Sequence, residues 1–253
     1  MGDQETGRRR GQLSRQRVLQ AAVDLADRFG LESLSMRRLA GELGVVPMAL
    51  YKHVANKEEL LDGMVDVIVG EIDPPQAGLP WKDAVRTRVL SARRVVQAHL
   101  WARRVIETRS VKTGAVLEYM DSFTGMFLAG GLSPDLTHHA LHALGGRMWG
   151  FTQELFEDPE VGASAAVPPE AQAAMLQQMA RRYPNIAAVA APALHDGGTV
   201  VAYGCDDQFE FEFALDLLLE GIEQLHRRKW SSRRSDAAQA AGFVSPTGIG
   251  YDG

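Results

Sequence analysis

Hydrophobic positions recur at helical spacing along most of this chain. Val18, Ala22, Leu25, Ala26 and Phe29 line one side of a segment that begins near Ser14 and stops at Gly30. Ser35 has the residue type and place of an N-cap for a second helix running to about Leu43. Pro47 opens a third helix, at the position where its missing N–H is not needed. Asn56 followed by Glu59 makes a capping-box-like start to a fourth. The stripe of that helix is Leu60, Leu61, Met64, Val65, Ile68 and Val69, with Glu58, Asp62 and Asp66 outside it. Beyond Trp81 the pattern predicts helices near 81–99, 101–109, 112–130, 133–158, 169–182, 185–190 and 206–230, with loops over 159–168 and 191–205. Thr199-Val200-Val201 is the one strand-like run, and it is too short to form a strand on its own. The expected fold class is all-α.

Breaks in the pattern divide the chain. Residues 1–11 carry no apolar anchor and end in Arg8-Arg9-Arg10, as a disordered basic arm does. Residues 12–73 hold the four short helices, and Asp73-Pro74-Pro75-Gln76-Ala77-Gly78 ends them. A second domain is expected over 79–230. The Ser-, Gly- and Ala-rich stretch 231–253 reads as a disordered tail.

Composition narrows the function. The 253 residues are 45% hydrophobic and 23% charged, as in an ordinary globular protein, and the formal net charge is −5. A chain of that charge does not coat nucleic acid along its whole surface, so any DNA contact must be local. Between Arg8 and Lys57 there are ten basic residues and only four acidic ones, the asymmetry that phosphate binding requires. Cys205 is the only cysteine, which rules out an intrachain disulfide and fits a reducing compartment. No apolar run approaches the ~18–20 residues of a membrane span, and MGDQETGRRRG lacks the apolar stretch of a signal peptide. A cytoplasmic protein without membrane contact is expected.

The chemistry concentrates between Ser35 and Lys57. Two helical patterns meet at Gly44, and the second carries Tyr51-Lys52-His53. A helix, a glycine turn and a second short helix with phosphate-seeking side chains form a head for the DNA major groove. Tyr51 and His53 offer an O–H and an imidazole N–H to phosphate oxygens, Lys52 and Lys57 add charge, and Ser35 donates from a helix start. Arg37 can reach a base edge, where its fork matches guanine O6 and N7. The first turn of the reading helix, Val46-Pro47-Met48-Ala49, has no side-chain hydrogen-bonding group. Readout there is expected to rest on thymine methyls, Arg37 and DNA shape.

These residues resemble the TetR family of bacterial transcriptional regulators. The resemblance is carried by Phe29-Gly30-Leu31, Ser35-Met36-Arg37-Arg38-Leu39-Ala40, Leu43-Gly44-Val45, Ala49-Leu50-Tyr51-Lys52-His53-Val54 and Asn56-Lys57-Glu58-Glu59-Leu60-Leu61. It implies a ligand-responsive regulator, a repressor in the usual case, that binds a near-palindromic double-stranded operator as a homodimer. The Phe- and Leu-rich run Phe209–Ile222 is apolar over more than one face and must be covered twice. The resemblance pairs it with 133–158 in a dimer four-helix bundle, and Gly145-Gly146 allows close backbone approach there.

A small organic effector needs an aromatic-lined pocket with a few convergent polar groups. Helices 81–158 offer Arg88, Trp101, Glu107, Tyr119, Phe123, Phe127, His142, Arg147, Trp149 and Glu157. The narrower expectation is Trp101, Phe123, Phe127, Arg147 and Trp149. Tetracycline sensors carry a metal-holding histidine at the end of the sixth helix. The matching stretch here, Arg104-Val105-Ile106-Glu107-Thr108, has none, which argues against a magnesium–tetracycline effector. His138 and His142 stand one helical turn apart, but no cysteine or suitably spaced carboxylate completes a metal set, so neither metal nor cofactor is expected. GxGxxG, Walker A, GxSxG and HExxH are all absent, which argues against an enzyme. A small-molecule-binding protein or enzyme that merely contains a helix-turn-helix is the alternative.

Overall fold

A computed structural model describes residues 12–109, 112–150, 177–178, 180–193 and 207–232. Its elements are α1 (Arg15–Phe29), a 3-10 turn (Leu31–Ser33), α2 (Met36–Leu43), α3 (Pro47–Leu50), α4 (Lys57–Gly70), α5 (Trp81–Ala98) and α6 (Ala102–Thr108). These are followed by α7 (Gly114–Ala129), α8 (Pro134–Gly150), α9 (Pro184–Ala193) and α10 (Asp207–Arg227). The described residues contain no strand. Helix α9 continues to Ala193, past the expected end at 190, because its alanines carry the helix up to that point. The expected arm 1–11, loop 159–168, tail beyond Ser232 and Cys205 lie outside the described residues.

The described residues form two compact units, divided between His138 and His139 and again between Trp230 and Ser231. The first unit holds α1–α7, so the break at 74–78 lies inside it. That break is tied down: the Asp73 backbone N–H donates to Ser91 Oγ at 2.9 Å, and Ser91 and Arg94 both donate to its carboxylate.

One continuous core runs through the first unit. Val18, Ala22, Leu25 and Ala26 of α1 meet Leu39, Leu50, Leu60, Met64 and Ile68, and the same cluster goes on to Val95, Trp101, Ala102 and Val105. Helices α1 and α4 approach closely at Gly63, where an added Cβ would come within 2.5 Å of the Leu19 side chain. Phe29 shares the spacing of the buried α1 residues but is not buried with them. It is 49% exposed, because its ring at the helix end is a platform for the guanidinium groups of Arg28 and Arg38, 5.2 and 4.2 Å from its centroid. In the second unit, α10 buries Phe211, Leu215, Leu219 and Ile222 along one stripe and leaves Phe209, Phe213 and Leu217 exposed along another.

A polar anchor crosses the first unit where α1, α4 and α5 end. The His99 ring is buried, with Nδ1–H donating to the Asp27 carboxylate at 2.9 Å and Nε2–H to Glu71 at 3.0 Å. Both acceptors are carboxylates, so both ring nitrogens must carry hydrogen and the ring is an imidazolium. The Trp101 indole N–H donates to the same Asp27 carboxylate at 2.6 Å. Burial by itself lowers the His99 pKa. The hydrogen bonds and charges of Glu71 and Asp27 outweigh burial and hold it above the ordinary 6.5.

A pKa raised in the folded state means that stability is gained while the unfolded histidine is still protonated. That gain is complete below pH 6.5 and is lost as pH rises through the raised value. The stability difference between wild type and His99→Gln, from urea unfolding across pH 6 to 9, should therefore be largest at the acid end and shrink toward the alkaline end. A difference that grows with pH would refute the imidazolium.

Candidate nucleic-acid interface

The reading head is built from local rules. Ser35 adopts extended backbone and its Oγ accepts the Arg38 N–H at 3.2 Å, which starts α2. Leu39 and Ala40 face the core. Gly44 ends α2 at φ 67°, in the left-handed region that glycine enters without penalty. The Gly44 N–H bonds to the Gly41 carbonyl at 3.1 Å and the Val45 N–H to the Ala40 carbonyl at 2.9 Å, the paired bonds of a Schellman stop. Pro47 then opens α3 at its first position.

Helix α3 is a single turn, and what it buries decides what it shows. Leu50 and Val54, four residues apart, are inserted into the core. That leaves Val46 68% exposed and Met48 72% exposed at the tip, with Pro47 beside them. Tyr51 and Lys52 are exposed in the turn that follows, while Ala49 and His53 are half-buried. Asn56 caps α4 by accepting the Glu59 N–H at 2.8 Å, and Glu59 reaches back to the Ala55 N–H at 2.7 Å. Lys57, exposed, is the first residue of α4. Ser35 and Arg37 are exposed at the start of α2.

Ion pairing separates the cations of the head into two sets. Arg28 pairs with Glu42 at 2.7 Å, Arg15 with Glu59 at 3.5 Å and Arg109 with Asp62 at 2.7 Å, and Arg104 pairs with Glu32. Arg37, Lys52 and Lys57 make no ion pair among the described residues. The paired set braces the fold, and the unpaired set leaves its charge available to phosphates. Arg38 joins the second set, held over the Phe29 ring. The sequence reading missed this residue, and the signal was an aromatic residue just before a helix-stopping glycine with an arginine at the next helix start.

The residues singled out for an effector are spread over several environments. Trp101 is 7% exposed and lies in the head core, with its N–H donating to Asp27. Phe123 and Phe127 are buried on α7 with their rings edge to face at 5.4 Å, and Phe127 meets Trp81 at 5.8 Å. Glu107 pairs with Arg103 along the surface of α6 at 2.8 Å. The side chains of Arg147 and Trp149, on α8, lie outside the described ones. The described residues hold no cluster of three or more metal-ligating side chains and no helix long and apolar enough to cross a membrane.

Comparison with known proteins agrees with this geometry. Residues 18–64 match the family model for bacterial regulatory proteins of the tetR family, and residues 74–226 match that for the tetracyclin repressor-like C-terminal domain. An HTH-type transcriptional repressor, DrrR1 of Streptomyces coeruleorubidus, is 31% identical over 235 residues, covering 87% of this chain and 83% of its own. An HTH-type transcriptional regulator of Saccharopolyspora erythraea is 38% identical over 98 residues, a match spanning 38% of this chain and 42% of that relative. The solved TetR-family protein ActR of Streptomyces coelicolor in complex with (S)-DNPA superposes with a TM-score of 0.59 at 26% identity, covering 85% of this chain and 99% of its own. The chain belongs to the TetR family and is a ligand-responsive DNA-binding transcriptional regulator.

Proposed function

We propose that this protein is a cytoplasmic repressor that binds a near-palindromic operator as a homodimer and leaves it when a small organic effector binds. Residues 12–73 form its reading head and 79–230 its regulatory and pairing part. The observation that carries the reading is the exposure of the head. Arg37 on α2, Lys52 after α3 and Lys57 at the start of α4 are exposed and make no ion pair among the described residues, and Val46 and Met48 expose an apolar tip. Exposed Val46 and Met48 gain nothing from folding, and they would gain from contact with thymine methyls. Ser35, Tyr51, Lys52, His53 and Lys57 serve the phosphates, and Arg37 serves a base edge, with Pro47 and Ala49 completing the apolar turn.

Pairing is proposed through α8 and α10. The exposed Phe209, Phe213 and Leu217 stripe on α10 supports it, since a helix apolar on two faces is normally covered on both. A two-fold dimer sets the heads on successive major-groove turns, ~34–36 Å apart. The effector acts by differential affinity for two dimer states that hold α4 differently, a coupling of about 1–3 kcal/mol or more.

Selection of bound DNA from a random pool tests the function directly, and a near-palindrome is the expected outcome. Unselective recovery would defeat the operator reading. On the selected site, Tyr51→Ala and Lys57→Ala should weaken binding to all sequences alike, and Lys57→Ala, which removes one phosphate contact from each head of the dimer, should lower the salt slope by about 2. Met48→Ala and Arg37→Ala should instead shift base preference at individual positions, and unchanged profiles for both would reject their role in readout. In sedimentation velocity, Phe213→Glu with Leu217→Glu should turn the dimer into monomer. A dimer that survives both changes would place the pairing surface elsewhere.

A further inference from the structure

Arg88, on α5, is a buried cation that makes no ion pair among the described residues. It is 7% exposed, and its one hydrogen bond among the described residues runs from Nη1 to the Ile72 carbonyl, long at 3.5 Å. Its Nε–H is buried and bonded to nothing. The Asp73 carboxylate is close enough for Arg88 to feel its charge, but Asp73 is already taken by Ser91 and Arg94. A guanidinium stays charged at any pH a protein survives, so this charge cannot be relieved by losing a proton. Buried charge is normally paired, so the unbonded Nε–H of a buried guanidinium is a donor suited to an anion.

The surroundings define the shape of that anion. The guanidinium lies over the Tyr119 ring on α7, 4.8 Å from its centroid. Tyr119 is stacked on Phe123 at 6.0 Å and 8°, and Phe127 and Trp81 stand behind Phe123. With Nη1 turned to Ile72, the Nε–Nη2 edge is the one left over, and such an edge takes the two oxygens of a carboxylate in parallel. One fork with a single charge, next to the negative Asp73, suits a monoanion better than a phosphate dianion. Both faces of Tyr119 are taken, by Arg88 and by Phe123, so the ring edges of Tyr119 and Phe123 form an aromatic wall, which an aromatic ring meets edge to face.

We propose that Arg88 is the anion receptor of the effector site and that the effector is an aromatic carboxylate. This rests on the ligand-responsive reading and deepens it by naming the ligand class. The same guanidinium touches the Ile72 carbonyl just beyond the end of α4. A carboxylate that claims Arg88 therefore acts on the helix whose other end carries Lys57.

The test is isothermal titration of the full chain with 2-naphthoate and with its neutral isostere 2-naphthamide. Wild type should bind one naphthoate per chain, at least about tenfold tighter than the amide, the lower end of what a hydrogen bond to a charged group supplies. Arg88→Met should bring naphthoate down to the amide level while leaving ligand-free binding to the selected DNA unchanged. Arg88→Lys keeps the charge without the fork and should fall between the two. If Arg88→Met does not fold, the wild-type pair and Arg88→Lys still decide the matter. Equal affinity for acid and amide, no saturable naphthoate binding at millimolar concentration, or a preference that survives in Arg88→Met would each overturn the proposal. Those results with DNA binding intact reject the anion receptor alone, whereas a protein that selects no DNA rejects the regulator reading.

Discussion

The structure of the first unit depends on the doubly bound imidazole of His99. Asp27 ends its bond network on α1, Glu71 just after α4, and His99 itself stands between α5 and α6. Trp101 adds an indole N–H to the same carboxylate and buries its ring in the head core. A buried polar set of this kind is stable only when every member is satisfied, so it permits one arrangement of the helix ends and penalises others. The head is thereby fastened to α6 as well as to α4. Arg104 to Glu32 and Arg109 to Asp62 fasten it again at the surface, where each pair contributes little on its own.

That fastening bears on how a signal could travel. A head held only by α4 would follow α4 alone. Here the core that supports Leu50 and Val54, and so the pose of α3, is continuous with Val95, Ala102 and Val105. A displacement of α5 or α6 must either move the head or break contacts in a close-packed core, and cores deform in steps rather than smoothly. The other face of the head is built on the opposite terms. Its cations Arg37, Lys52 and Lys57 make no ion pair among the described residues and its apolar tip is exposed, so on the proposed reading both are available to a duplex.

The head was legible because its rules are local. Ser35 caps α2, Gly44 takes the left-handed turn, Pro47 starts α3, and Asn56 caps α4, each within four residues of its partner. The burial of Leu50 then fixes by helical geometry that Met48 faces out. Phe29 shares the spacing of the α1 stripe, but it ends the helix and two guanidinium groups lie over it, which the spacing could not show. The bond from Trp101 to Asp27 could not be read from the sequence, since the two lie 74 residues apart. His99 attracted no notice at all, since each of its partners is distant along the chain.

The sequence alone determined the all-α class, the order and capping of the head helices, and the surplus of positive charge on the segment that meets DNA. These follow from period, residue type and charge over spans of a few residues. Tertiary structure decided which cations are spent on carboxylates and which stay free, because ion pairs such as Arg28 with Glu42 join different helices. It also decided that Trp101 is buried in the head core and that Arg88 is buried with its Nε–H unbonded among the described residues. Both outcomes depend on which side chains meet across helices far apart in sequence, and no periodicity encodes that.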